Sequence, residues 1–168
     1  ECDEIPVNRS FAGQQPRFEP AKWLFYPRVQ PASKHPIVKN LDLVRCEFVS
    51  SLDTISAKGI SKTILLCSSK YSKPANAPVR IDLRMINIEP DPRKFDKPFL
   101  PVAALLEGEF ESNYKNRVTS QITESKEIGF LEKCAKSTRM IVVADGSIIR
   151  NEIQRVSREP FPMGINVD

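Results

Sequence analysis

Residues 139–149 read RMIVVADGSII, and this stretch decides the fold class. The apolar run 140–144 has the length of a strand, and a helix start with Ser147 as its N-cap follows. Because the run is apolar at every position, it predicts a strand with both faces covered, as in the centre of a sheet. Asp145-Gly146, between the two, is either the turn that ends the strand or a contact for a ligand or partner.

Further strand patterns lie on the N-terminal side of this stretch. Two more apolar runs predict central strands at 63–67 and 102–106. Shorter or alternating patterns predict strands at 23–26, 44–52 and 79–85. The first of these should end at Pro27, because proline cannot donate a ladder hydrogen bond.

Helical patterns are fewer and shorter. Ile149, Ile153 and Val156 fall at helical spacing, and short turns are expected at 91–95 and 112–118. We therefore predict a β-rich α/β fold, or an α+β fold, with a central mixed sheet and few short helices.

The length of 168 residues suits a single domain. We predict an extended N-terminal segment at 1–22 and one β-rich domain at 23–168, truncated at its C-terminus. The chain begins at Glu1, without an initiator Met or a signal-peptide pattern, so we expect a segment of a longer protein. No apolar run approaches the ~18–20 residues of a membrane span, so any anchor is expected outside this chain.

Composition argues against several classes of protein. The 25 basic and 21 acidic residues are dispersed, and a net charge of +4 does not indicate a nucleic-acid partner. The four cysteines form no C-x-x-C pair and His35 is the only histidine, so no zinc site and no cofactor are predicted. Cys46 and Cys67 lie in apolar patterns and are expected to be buried, whereas disulfide state and compartment remain open.

Two predicted strands end in polar clusters. Ser68, Ser69 and Lys70 follow the strand at 63–67, and Asp145 and Gly146 follow the strand at 140–144. If these strands were parallel neighbours, the two clusters would share one crevice at the carboxyl edge of the sheet. These residues are the candidate contacts for a ligand or partner, and local turn chemistry is the alternative interpretation.

Two signatures of catalytic sites are absent from the sequence. It contains no G-x-S-x-G motif and no glycine-rich phosphate loop. Glu107 and Glu109 project to one side of an extended strand, where a solvated rim is more typical than an acid–base pair or a metal site. No catalytic residue and no metal ligand are predicted.

Several stretches together resemble a known family. They are HPIVKNLDLVRCEFVSSLDTI (35–55), KTILLCSSKYSKPANAPVRIDL (62–83), FLPVAALLEGEFESNYKNRV (99–118) and RMIVVADGSIIRNEI (139–153), with WLFYP (23–27) and EPFPMGINVD (159–168) fitting the same pattern. In this order they resemble the extracytoplasmic region of the gliding-motility-associated, substrate-binding-like proteins of ABC transporters in Bacteroidetes, the GldG family.

The resemblance implies a non-catalytic accessory domain of an ABC-type transport complex, active in gliding motility or envelope transport. It implies a periplasmic location, a membrane-anchored parent protein and membrane subunits of the transporter as partners. It also implies that the chain is part of a larger Rossmann- or flavodoxin-like region. Catalytic residues, cofactors and a ligand are not implied.

Two other functions remain open at this level. The first is a small-ligand or glycan-binding module that uses the strand-end clusters, with Trp23, Phe25 and Tyr26 as stacking surfaces or as core. The second is a divergent serine hydrolase that uses Ser68 or Ser69 with Asp145, which would need His35 or Lys70 within ~3 Å of the serine hydroxyl.

Overall fold

A computed structural model describes residues 2–11 and 13–150 of the chain. The strands are β1 (Cys2–Asn8), β2 (Phe18–Pro31), β3 (Val44–Arg45), β4 (Ile60–Cys67), β5 (Pro101–Gly108) and β6 (Thr138–Val143). One short α-helix, α1 (Ser120–Thr123), and 3₁₀ helices at Leu83–Asn87, Pro92–Lys94 and Gly146–Ile149 complete the secondary structure. The prediction of a β-rich fold with few short helices is confirmed.

The strands form one sheet in the order β1-β2-β4-β5-β6, with β3 paired to β2. Every strand pair in the described residues is antiparallel, so the predicted mixed sheet is wrong for this part of the chain. A parallel pair needs a crossover connection, usually a helix of some length. The connection from β4 to β5 contains only two short 3₁₀ helices, and β5 returns antiparallel beside β4.

The three apolar runs form strands as predicted. Residues 63–67 lie in β4, residues 102–106 lie in β5, and most of the run 140–144 lies in β6. The position of β6 differs from the prediction, because among the described strands it is an edge strand paired only with β5. Met140 and Ile141, on opposite faces of β6, are 47% and 50% exposed.

The alternating patterns were less informative. The predicted strand at 79–85 is wrong, because Asp82 caps the 3₁₀ helix at Leu83–Asn87 and accepts from the Arg84 backbone N–H at 2.9 Å. This local cap competes with strand pairing. The pattern at 44–52 yields only the two-residue strand β3, although the Cys46 and Phe48 N–H groups also donate to Pro27 and Phe25 of β2, at 3.0 and 2.8 Å.

The sequence predicts that this strand ends at Pro27, but β2 continues to Pro31. The missing N–H of Pro27 costs little here, because its carbonyl still accepts from the Cys46 backbone N–H at 3.0 Å. Pro27 is also the register partner of Cys2 in β1.

Short helical segments partly match the predictions. The 3₁₀ helix Pro92–Lys94 confirms the turn at 91–95, and 112–118 contains turns without a helix. Asp145, not Ser147, is the N-cap of the 3₁₀ helix Gly146–Ile149. The predicted continuation through Ile153 and Val156 lies outside the described residues.

The core lies where β4 and β5 meet the end of β2. Its buried members are Val29, Val38, Cys46, Leu65, Leu66, Val102, Ala103 and Leu105. Consecutive residues of β4 and of β5 are buried, so both faces of these strands are covered at this end of the sheet. Cys46 and Cys67 are buried as predicted.

The first 22 residues contain β1 and the start of β2, which pair as a hairpin. The division of the chain at residues 22 and 23 stays a prediction. No helix in the described part of the chain is long and apolar enough to cross a bilayer.

Candidate functional site

The two polar clusters lie at the same end of the sheet but on opposite sides of β5. β4 and β6 both run antiparallel to β5, so they are parallel to each other and end on the same side. Ser68 follows β4 and donates its backbone N–H to Leu100 at 2.9 Å, while Ala144 follows β6 and donates to Val102 at 2.9 Å. β4 and β6 are parallel, which a shared crevice requires, but β5 lies between them, so they are not neighbours.

Ser68 and Ser69 hold the turn after β4. The Ser68 hydroxyl accepts from the Leu100 N–H at 2.9 Å and donates to the Ser69 carbonyl at 3.2 Å. The Ser69 hydroxyl accepts from the Tyr71 N–H at 3.1 Å and donates to the Tyr71 carbonyl at 3.0 Å. Both hydroxyls are therefore occupied by nearby backbone, which favours a structural role in this conformation.

The geometry does not activate either serine for nucleophilic attack. His35 Nδ1 accepts from the Ile37 backbone N–H at 3.3 Å, so the imidazole caps its own turn. Lys70 is exposed and lies over the Tyr71 ring, with Nζ 4.8 Å from the ring centroid. Neither side chain hydrogen-bonds to Ser68 or Ser69 in the described structure, and an activated serine needs such a base.

Asp145 is a buried carboxylate, 6% exposed, that joins two distant segments. Its Oδ2 accepts from the Glu47 backbone N–H at 2.7 Å, and its Oδ1 accepts from the Ser147 N–H at 2.7 Å. Gly146 begins the 3₁₀ helix that Asp145 caps. The turn interpretation of Asp145-Gly146 thus agrees with the structure, and a contact with a ligand or partner stays a prediction.

The carboxylate of Asp145 also acts on a neighbouring thiol. Burial is the main cause that raises the pKa of the Cys46 thiol to about 12, and the charge and hydrogen bonding of Asp145 raise it further. Burial likewise raises the pKa of Cys67, against a hydrogen bond from Gln30 that lowers it. Both thiols therefore stay protonated at neutral pH and are poor nucleophiles.

A network of charged side chains lies beside Asp145, and the sequence does not predict it. The Glu47 carboxylate accepts from Arg150 at 3.1 Å on both oxygens and from Arg45 at 3.0 Å. Arg45 also pairs with Asp3 at 3.0 Å, as does Arg28. The members of this network range from Asp3 to Arg150 along the sequence, so no local motif predicts that they lie together.

Electrostatics within this network favour the ionised carboxylate of Asp3. Burial alone would raise the pKa of Asp3, but the hydrogen bonds and charges of Arg28 and Arg45 lower it below the usual value. The pairs are partly exposed, so each contributes little to stability. The network orients β1, β2 and the segment after β3 relative to the 3₁₀ helix at Gly146–Ile149.

The predicted aromatic residues mostly contact one another. Trp23 is 4% exposed, and its ring centroid lies 5.1 Å from that of Phe25. Tyr26 meets Phe48 edge to face at 5.3 Å, and the Arg45 guanidinium lies 5.1 Å from the Tyr26 centroid. Trp23 is thus core, whereas Phe48 is 53% exposed.

Two open depressions lie on the surface of the described structure. One of about 320 Å3 is lined by Gln30, Pro31, Ala32, Ile64, Cys67, Phe99 and Pro101. The other, about 620 Å3 and widely open, is lined by Gly59, Ile60, Ser61, Glu107, Gly108 and Ser137. The candidate residues at the strand ends line neither of them.

The remaining acidic candidates are in surface ion pairs. Glu107 binds Arg139 at 2.7 Å, and Glu109 binds Lys133. This pairing fits the solvated rim suggested by the sequence. Across residues 2–11 and 13–150, no group of three His, Cys, Asp or Glu side chains is arranged to hold a metal ion.

Comparison with known proteins supplies the family. No curated protein and no solved structure matches the chain. The model of one family, described as an ABC-type uncharacterized transport system, matches residues 1–166. The chain therefore belongs to this ABC transport auxiliary family.

Proposed function

We propose that this chain is a non-catalytic, extracytoplasmic accessory domain of an ABC-type transport complex at the periplasmic face of the inner membrane. The observation that carries the proposal is the family match over residues 1–166. The collinear resemblance to the GldG family adds the finer parts: a membrane-anchored parent protein, a larger Rossmann- or flavodoxin-like region, and gliding motility or envelope transport as the process.

The geometry at the strand ends supports a role without catalysis. The hydroxyls of Ser68 and Ser69 and the carboxylate of Asp145 bind backbone groups that the fold needs. A catalytic group must instead direct its reactive atom toward a space that a substrate can enter.

Copurification tests the proposed assembly. The parent protein is tagged, solubilised from membranes in mild detergent and purified, and we expect the ATPase and membrane subunits of the transporter to copurify. A tagged membrane protein of similar abundance is the control. Recovery of the tagged protein without any transporter subunit would overturn the proposal.

A reporter fusion tests the location separately. Alkaline phosphatase joined after this domain in the parent protein should be active, because the enzyme needs the oxidising periplasm to form its disulfides. An inactive phosphatase fusion, together with an active cytoplasmic reporter at the same position, would place the domain in the cytoplasm.

The smaller cavity favours ligand binding as a second candidate. Its volume of about 320 Å3 is at the lower limit of ligand sites, and the Gln30 amide beside it donates to the Ser68 carbonyl at 3.5 Å. Thermal unfolding with a panel of sugars and small metabolites tests this candidate, since a ligand at ~100 times its Kd adds ~2.7 kcal/mol. An unchanged Tm across the panel would count against it.

A further inference from the structure

Among residues 2–11 and 13–150, no backbone group bonds to the outer edge of β6. The Ala144 N–H donates to Val102 of β5, and backbone groups alternate in direction along a strand, so Met140 and Val142 also face β5. Arg139, Ile141 and Val143 consequently direct N–H and C=O groups away from the sheet. None of their outward groups has a backbone partner in the described structure.

The strand has few of the features that usually protect an edge. Within β6 there is no proline, and its register with β5 shows no bulge. Arg139 is its only charged residue. Ile141 is opposite Leu105, which is 2% exposed, yet Ile141 itself is 50% exposed. An edge strand with apolar side chains and unpaired backbone groups is a template for another strand.

Charge along this edge indicates which kind of strand fits. Residues 133–143 carry Lys133, Lys136 and Arg139 and no acidic residue. Glu109 and Glu107 pair with the first and the last of these cations, which leaves one positive charge in excess near the start of β6. The remainder of the strand is apolar, so the edge is basic at its N-terminal end and apolar at its C-terminal end.

We propose that the β6 edge binds an extended strand of another transport-system component, and that this strand is apolar with an acidic C-terminal end. It pairs antiparallel with β6, as every other strand pair in the described sheet does. Antiparallel pairing places its apolar residues against Ile141 and Val143 and its acidic end near Lys136, since Arg139 already pairs with Glu107. Main-chain hydrogen bonds supply affinity, and the side chains supply the choice of partner. The identity of the partner rests on the proposed function.

A synthetic strand peptide tests the edge without any partner protein. The probe is blocked at both ends, alternates Val, Ile and Thr, and finishes in two glutamates. One control peptide carries lysine in place of each glutamate, and a second is N-methylated at every residue so that neither of its edges can donate a backbone hydrogen bond. Amide hydrogen exchange of the whole chain is followed at each residue of β6.

The probe should slow exchange of the Ile141 and Val143 amides at least about tenfold, and leave Met140 and Val142, already bonded to β5, unchanged. The N-methylated peptide should give no protection, and the lysine peptide should bind at least about threefold more weakly. Absence of protection, or equal binding of the lysine peptide, would overturn the proposal. Protection that appears without peptide and grows with protein concentration would show that a second copy occupies the edge, which also overturns it.

A pair of variants tests the edge in the parent protein. Ile141→Pro removes an N–H that points away from the sheet, and the backbone hydrogen bonds between β5 and β6 do not use this N–H. Ile141→Thr is the matched control, because it keeps the N–H. In the copurification experiment, Ile141→Pro should lose the transporter subunits and Ile141→Thr should retain them. The melting temperature of each variant shows whether the fold is kept. If Ile141→Pro does not fold, the peptide experiment still tests the edge, because it uses the wild-type protein.

The outcomes separate this inference from the proposed function. If the wild-type parent protein copurifies with the transporter and a folded Ile141→Pro variant does so equally well, the edge inference fails and the proposed function stands. If the wild-type protein copurifies with no transporter subunit, the proposed function fails, while the peptide experiment still decides whether the edge accepts a strand.

Discussion

The Oδ2 atom of Asp145 accepts a 2.7 Å hydrogen bond from the backbone N–H of Glu47, a residue 98 positions earlier in the chain. With its other oxygen bound to the Ser147 N–H, Asp145 ties the end of β6 to the segment that follows β3. The Ser50 N–H, which donates to the Ala144 carbonyl at 3.2 Å, adds to this junction. The carboxylate of Asp145, at the end of a strand, thus links two segments that are far apart in the sequence.

Replacing this carboxylate should destabilise the protein. Asp145→Ala leaves the half-buried Glu47 N–H without its acceptor, and we expect the free energy of unfolding to fall by about 1–3 kcal/mol. Urea denaturation followed by circular dichroism measures the change. Ser147→Ala is the control, because Ser147 contributes its backbone N–H and should lose less than about 0.5 kcal/mol. Equal losses in the two variants would contradict the role of Asp145.

The buried thiol of Cys46 should make stability fall at high pH. Its pKa is about 12 in the folded protein, raised by burial and then by Asp145, against 9.0 for the ordinary thiol. Between these values the unfolded state loses a proton that the folded state keeps, so stability is fully present below pH 9.0 and declines above it. The decline is up to about 1.4 kcal/mol per pH unit for this one group.

A comparison of wild-type protein with Cys46→Ala tests this pH dependence. The variant loses some packing at every pH, but its free energy of unfolding should fall less steeply above pH 9.0. Urea titrations at several pH values up to ~10.5 give the two slopes. Parallel slopes would mean that another group causes the decline.

Two glycines offer a matched test of backbone packing. Gly108, at the end of β5, has φ +151°, and a Cβ there would collide with the Gly59 carbonyl oxygen. Gly146→Ala is the control, since a Cβ at Gly146 meets nothing within 4 Å. We expect Gly108→Ala to lower the free energy of unfolding by about 1–3 kcal/mol and Gly146→Ala to change it by less than about 0.5 kcal/mol. Similar values would show that β4 and β5 separate readily at this point.

The core is concentrated on β4 and β5, and two leucines should reveal this. Leu105 is 2% exposed and Leu83 is 65% exposed. Leu105→Ala should cost about 2–5 kcal/mol, because it removes buried methyl groups and leaves a cavity. Leu83→Ala should stay within about 0.5 kcal/mol of wild type. Thermal melts with denaturant titration measure both, and a small loss for Leu105→Ala would place the core elsewhere.

Local sequence determined the strands that are apolar at every position. The runs in β4 and β5 predict strands correctly because burial on both faces leaves an unbroken apolar pattern. The run in β6 also predicts its strand, although Met140 and Ile141 are exposed at the edge of the sheet. The buried state of Cys67 follows from the run in β4, and that of Cys46 follows from the alternating pattern at 44–52. The alternating pattern at 79–85 misled because the Asp82 side chain caps a 3₁₀ helix, and local hydrogen bonding outweighs periodicity there.

The tertiary structure alone decided how the strands pair and what Asp145 does. An apolar run predicts a strand, but it carries no information on strand direction or on the neighbouring strands, so the antiparallel order and the edge position of β6 could not be predicted. The partner of Asp145 was equally hidden, because Glu47 contributes a backbone N–H and any residue except proline has one. Sequence thus determined which segments are strands, and long-range hydrogen bonding decided where each strand lies.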